Sequence, residues 1–206
     1  MAVSREFLLN IYERCNEHLR DQSTKRDQAI AFYLVIISFY FGSYSNVTKF
    51  LTGAYAPLLF NVVMIVISGM TIRTLSGLRS WHMQYSSAIV LLNIIIARDI
   101  VKLKDVNRVS TAFFSRKDRL NTKMRVKDLF KGIENRVVFG MIFISGLPAA
   151  MFMKELAGVM KVQSKDIVFL MEALLYLIYV IIYLKSTIMV IRNSAKHKTW
   201  IINFGT

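Results

Sequence analysis

A chain of 206 residues with 54% hydrophobic side chains and a mean hydropathy of +0.43 carries more apolar surface than a soluble domain of this size needs. The formal net charge of +14 would suggest nucleic acid in a soluble protein, but basic loops facing anionic lipid account for it by topology alone. The single cysteine, Cys15, excludes an intrachain disulfide and a cysteine zinc cluster. Four spans take about 80 residues, and the remainder leaves little room for a large separate enzyme domain.

The distribution of charge says more than its sum. Of the 27 Lys and Arg, 5 lie in residues 1–27, 14 in 73–136 and 4 in 185–206. Between them run Gln28–Thr48, Phe50–Ile72, Val137–Met153 and Ile167–Leu184, the last broken only by Glu172. Runs of roughly 18 apolar residues cross a ~30 Å hydrocarbon core, and alternating Lys/Arg excess sets their orientation. The pattern predicts an all-α membrane protein with four transmembrane helices, a helical cytosolic layer and both termini in the cytosol. Its segments are 1–27, 28–72, 73–136, 137–191 and 192–206.

In chain order, residues 4–22 form an amphipathic helix, with Leu8, Ile11, Tyr12, Cys15 and Leu19 on one stripe. The stripe packs on another cytosolic helix or lies on the membrane. No cleavable signal peptide is evident, so the first span serves as an anchor. In that span Tyr40 and Tyr44 suit the outer interface, where a ring keeps its hydroxyl wet. Gly42-Ser43 and Gly53 bracket a short outer loop that includes the glycosylation pattern Asn46-Val47-Thr48. Pro57 starts the second span, where a missing N–H costs little. Asn61 and Ser68 share one face of it and are suited to interhelical hydrogen bonds.

Residues 80–97 carry no Asp, Glu, Lys or Arg. A fifth span there would place the 12 Lys and Arg of 98–136 outside, so the stretch reads as a buried cytosolic helix or a continuation of the second span. The basic region follows, with Lys102, Lys104, Arg108, Arg116, Lys117, Arg119, Lys123 and Lys127 as a surface for lipid or a partner protein. In the third span Pro148 predicts a kink that frees the carbonyl of Ile144. Ser145 with Ala149, and Gly146 with Ala150, are small-residue pairs for close helix contact.

The fourth span carries Glu172, Tyr176, Tyr179 and Tyr183 at spacings that share one helix face. Functionally they form a polar stripe lining a pore or a subunit seam; otherwise Glu172 reaches headgroup water and the tyrosines pack in the bundle. Arg192 and His197 have the Arg-x4-His spacing of HEPN-type ribonucleases, a weak pattern in a basic tail. No histidine pair has metal-ligand spacing, and no phosphate- or dinucleotide-binding glycine loop occurs. No catalytic residue, metal or cofactor is expected.

Tyr12 leads to Gln22-Ser23-Thr24-Lys25-Arg26-Asp27-Gln28, and Phe32-Tyr33-Leu34-Val35-Ile36-Ile37 then opens the first span. This resembles the entry segment of small bacterial membrane effectors of the SLATT and RipA-like type. The four-span plan with a basic cytosolic middle resembles the membrane component of the Kiwa anti-phage system. The resemblance implies a homo-oligomer in the bacterial inner membrane, surrounded by lipid and coupled to a cytosolic protein partner in defence. It would reach nucleic acid only through that partner. The alternative is a gated pore or membrane-disrupting effector, and a membrane-bound nuclease is more remote.

Overall fold

The computed structural model describes residues 5–50, 53, 55–96 and 133–203. All regular structure among them is helical: α1 (Arg5–Phe50), α2 (Ala56–Ile95), α3 (Ile133–Ser145), α4 (Leu147–Val159) and α5 (Lys165–Asn203). Four helical stretches are long and apolar enough to cross a membrane, with α3 and α4 together supplying the third. At about 1.5 Å per residue, α1 and α2 each exceed what a ~30 Å hydrocarbon core can hold.

Several boundaries differ from the sequence expectation. Helix α1 runs through Gly42-Ser43 to Phe50, since one glycine costs a long helix only about 1 kcal/mol. The Thr48 hydroxyl donates back to the carbonyls of Tyr44 and Ser45, at 2.9 and 3.2 Å. Asn46-Val47-Thr48 therefore lies on a helix rather than in a loop. Helix α2 starts with the Ala56 amide donating to the Gly53 carbonyl at 3.0 Å, and Pro57 sits in its first turn. It then continues unbroken to Ile95, so of the two readings offered for residues 80–97 the described part takes the second, a continuation of the helix of the second span.

The chain divides into two compact units, to which α1, α2 and α5 each contribute. The first comprises Met1–Arg26, Gly77–Leu129 and Met189–Thr206. Its core joins the predicted stripe of α1 to the end of α2: Leu8 and Cys15 are buried with Ile89 and Leu92, flanked by Ile11, Tyr12, Leu19, Tyr85, Ala88 and Ile95. His18 stacks on Tyr85 with ring centroids 5.0 Å apart. A partner helix, rather than a lipid surface, thus covers the stripe. Burial also pushes the Cys15 thiol above its ordinary range. Because the thiolate is the reactive form, N-ethylmaleimide at neutral pH should label native protein at least ~10-fold more slowly than unfolded protein. Equal rates would show that this core is open.

The second unit comprises Asp27–Ser76 and Phe130–Ile188. Phe32, Val35 and Phe39 of α1, Leu59, Val66 and Met70 of α2, and Phe169, Leu170, Leu174 and Ile181 of α5 are all exposed. Apolar outer faces around a partly polar interior are what a bilayer environment calls for. The third span is interrupted at Gly146, with α3 ending at Ser145 and α4 starting at Leu147. Pro148, in the first turn of α4, has no N–H to continue the ladder, and its ring crowds the carbonyl of Ile144. The span also runs to Val159, beyond the expected end at Met153.

Helix α4 closes in a Schellman turn. The Val162 amide donates to the Ala157 carbonyl at 3.0 Å, and the Lys161 amide to Gly158 at 3.1 Å. Lys161 takes the left-handed conformation, with φ 56°, which strains any residue with a Cβ. Lys161→Gly should therefore raise stability by about 0.5–1 kcal/mol in detergent, read as a higher midpoint of thermal unfolding.

Candidate functional site: the polar interior of the second unit

A long polar side chain in a membrane span is costly unless it faces a partner. The second unit meets this constraint by turning Tyr33, Tyr40, Asn61, Ser68, Ser76 and Thr187 inward at successive levels. On α2 these levels are marked by Asn61, Ser68 and Ser76, spaced two turns or slightly more apart, about 10–12 Å. Helix α1 answers with the same period. Tyr40 meets Asn61 and Tyr33 meets Ser68, the register of an antiparallel pair.

The first level is a directed chain of hydrogen bonds. The Tyr40 hydroxyl donates to Asn61 Oδ1. Asn61 Nδ2 donates to the Tyr44 oxygen at 3.1 Å, and the Tyr44 hydroxyl donates to Glu155 Oε1 at 2.8 Å. All three bonds point toward the carboxylate. Tyr40 and Asn61 are fully buried, so the expectation that Tyr40 sits wet at the interface is corrected; Asn61 supplies the partner that water would have been. Phe60 packs on Tyr40, with centroids 5.3 Å apart.

At the second level Tyr33 and Ser68 share a hydrogen bond of 2.8 Å. Ser145 is fully buried and its hydroxyl donates to the Ile142 carbonyl at 2.8 Å. Tyr179 is buried, its ring 4.5 Å from that of Tyr183. Tyr183 reaches Gly69 of α2 so closely that a Cβ there would overlap its hydroxyl oxygen. At the third level Ser76 donates to the Ile72 carbonyl at 2.8 Å and lies 3.0 Å from the Thr187 hydroxyl. With its own hydrogen committed, Ser76 accepts from Thr187.

Of the stripe read from the sequence, three tyrosines reach this interior or its edge. Tyr176 is half-buried and donates to the Phe143 carbonyl at 3.2 Å, beside the helix break. Its ring covers Gly146, where a Cβ would meet ring carbons at 2.8 and 2.9 Å. Glu172 is half-buried and takes no part in the network. Pro148 and Ala149 are buried with Ser145 and Gly146 at the break. The basic residues Lys102, Lys104, Arg108, Arg116, Lys117, Arg119, Lys123 and Lys127 lie outside the described residues. Arg192 is exposed, and the side chain of His197 is likewise outside them.

Sequence reasoning missed Glu155 because Lys154-Glu155 looks like the end of a span. The available signal was the apolar continuation Leu156-Ala157-Gly158-Val159 beyond that pair. Among the described residues no group of three or more His, Cys, Asp or Glu could hold a metal. Chemically the interior offers hydroxyl, amide and carbonyl groups that bond one another, with a carboxylate at one end. Comparison with protein-family models, curated proteins and solved structures finds no match to the chain.

Proposed function

We propose that the protein is an oligomeric inner-membrane sensor or anchor that couples a membrane event to a cytosolic partner, in the setting of anti-phage defence that the resemblance implies. The observation behind this reading is the double use of α1 and α2, which carry Tyr33, Tyr40, Asn61 and Ser68 in one unit and Leu8, Cys15, Ile89 and Leu92 in the other. Helices shared in this way give a change among the spans a physical route to a second packed core. In this reading both termini are cytosolic, and the partner docks on the basic residues of 98–136, such as Lys117 and Lys123, whose charge exceeds what orientation alone requires. The test is purification with all co-expressed neighbours after chemical crosslinking. A homo-oligomer carrying a bound cytosolic protein is expected; a monomer that elutes alone overturns the proposal. A cysteine in place of Lys123 should resist membrane-impermeant reagents in intact cells, while one in place of Lys161 should react. The reverse pattern would invert the orientation.

A second reading, a gated pore, draws on the polar interior and the broken third span. Broken helices are tolerated at membrane depth where they are buried or line a cavity. Glu155→Gln is the sharper variant here, because Glu155 ends the hydrogen-bond chain while Glu172 stands apart from it. Proteoliposomes without conductance, or with conductance indifferent to both Glu155→Gln and Glu172→Ala, would remove this alternative.

A further inference from the structure

The four lysines that break the charge alternation gather at one end of the second unit. Lys49, Lys154, Lys161 and Lys165 are the Lys and Arg residues outside 1–27, 73–136 and 185–206, and all four are exposed. The hydrogen bond from Tyr44 to Glu155 ties the end of α1 to the end of α4. Lys49 lies in the last turn of α1, Lys154 directly precedes Glu155, Lys161 sits in the turn that closes α4, and Lys165 opens α5. The carboxylates here are Glu155, already bonded to Tyr44, and Asp166, in the first turn of α5, where the helix dipole favours it. Four positive charges against two leave this end net positive. The basic segments flank the other ends of the spans, so orientation by charge gives these lysines no role.

One of them is held at a cost. Lys161 has φ 56°, at the position of a Schellman turn where glycine is preferred. Backbone strain of this kind concentrates at ligand sites, and glycine here would remove the strain together with the ammonium group. The neighbours are apolar and exposed: Phe50 beside Lys49 at 89%, and Met160 beside Lys161 at 62%. Such pairs suit a bilayer surface, where the apolar side chain enters the lipid and the lysine reaches up to the phosphates. A soluble acidic partner would leave those apolar side chains unexplained. Gly158, one turn after Lys154, is exposed, and nothing stands within 4 Å of where its Cβ would be. Open backbone therefore lies between Lys154 and Lys161 along the chain.

We propose that this end of the second unit binds the headgroup of an anionic phospholipid, with Lys154 and Lys161 on its phosphate and Lys49 and Lys165 adding to the attraction. Lysine serves as a point charge for phosphate, and each one near an anionic surface strengthens binding several-fold. This surface is separate from the basic residues of 98–136. The proposal requires neither an oligomer nor a cytosolic partner, so it stands or falls separately from the function proposed above.

The test uses the full chain carrying Gly158→Trp, Trp81→Phe and Trp200→Phe, in vesicles of phosphatidylcholine and phosphatidylglycerol. One lipid or the other carries bromine on its acyl chains near the glycerol, and quenching of the single indole reads which lipid lies beside it. Quenching is local, so lipid bound elsewhere on the chain is not counted. Phosphatidylglycerol should be preferred at least ~3-fold, and salt near 1 M should reduce the preference. Lys154→Gln and Lys161→Gly should each lower it, and together abolish it, while Lys161→Arg keeps it. The loss in Lys161→Gly should occur although the same change raises the thermal midpoint in detergent. A lysine that served only the dipole of α4 would leave the lipid preference unchanged. Equal affinity for the two lipids would overturn the proposal, as would a preference that survives Lys154→Gln with Lys161→Gly. An indole that neither lipid quenches would also overturn it, by showing that this end faces water.

Discussion

Replacing Asn61 with alanine should lower the stability of the protein in detergent by about 2–4 kcal/mol. The side chain is fully buried and is the junction between Tyr40 and Tyr44. Its loss strands the Tyr40 donor in a protein interior and leaves a cavity beside it, and the two penalties add. The average hydrogen bond between membrane helices contributes only about 0.6 kcal/mol, because unassociated helices find other partners. A junction residue should exceed that average, since its removal affects more than one bond. Double-mutant cycles with Tyr40→Phe, read by denaturant titration, check this: the pair should be less damaging than the sum of the singles, because Tyr40→Phe removes the stranded donor. Strict additivity would show that the two side chains act independently.

Gly146→Val should destabilise the protein by about 2–3 kcal/mol. The backbone at Gly146 is ordinary right-handed helix, with φ −76° and ψ −18°, so conformation alone does not require glycine. Space does: a Cβ would stand 2.8 and 2.9 Å from two ring carbons of Tyr176 and 3.3 Å from a methyl of Val180. The ring cannot simply retreat, because its hydroxyl is bonded to the Phe143 carbonyl. Gly146→Val combined with Tyr176→Ala should recover much of the loss. If the double variant is no better than Gly146→Val, the damage arises in the backbone of the break rather than in the overlap with the ring. The contrast with Gly69 is useful. There the nearest atom is the hydroxyl at the far end of Tyr183, which a modest ring movement displaces, so Gly69→Ala should be milder in the same assay.

The sequence made the helices legible because both of their signals are local. Apolar runs bounded by Lys and Arg mark the spans, and the stripe Leu8, Ile11, Tyr12, Cys15 and Leu19 marks the packed face of α1. Asn61 and Ser68 were legible as makers of interhelical hydrogen bonds because polar groups in a span require partners, and their partners are tyrosines of α1. Helix ends were harder to read. Gly42-Ser43 looked like a boundary, yet the helix passes through it because flanking turns hold the ladder. Lys154-Glu155 also looked like an end, yet Glu155 turns toward Tyr44, and a paired carboxylate is tolerated where a free one is not.

By itself the sequence determined the helical character of the described residues, the four stretches able to cross a membrane, and the weak point at Pro148, since composition, run length and a missing amide act within a few residues. Only the tertiary structure decided which polar groups meet. Tyr40 could have reached interfacial water or Asn61, and Tyr183 finds room only because Gly69 of another helix has no side chain. Those outcomes depend on helix register and facing, which are set by packing between segments up to 111 residues apart, as with Ser76 and Thr187. Periodicity along one helix names a face; the neighbour supplied by the fold decides whether that face is lipid, protein or a bonded polar interior.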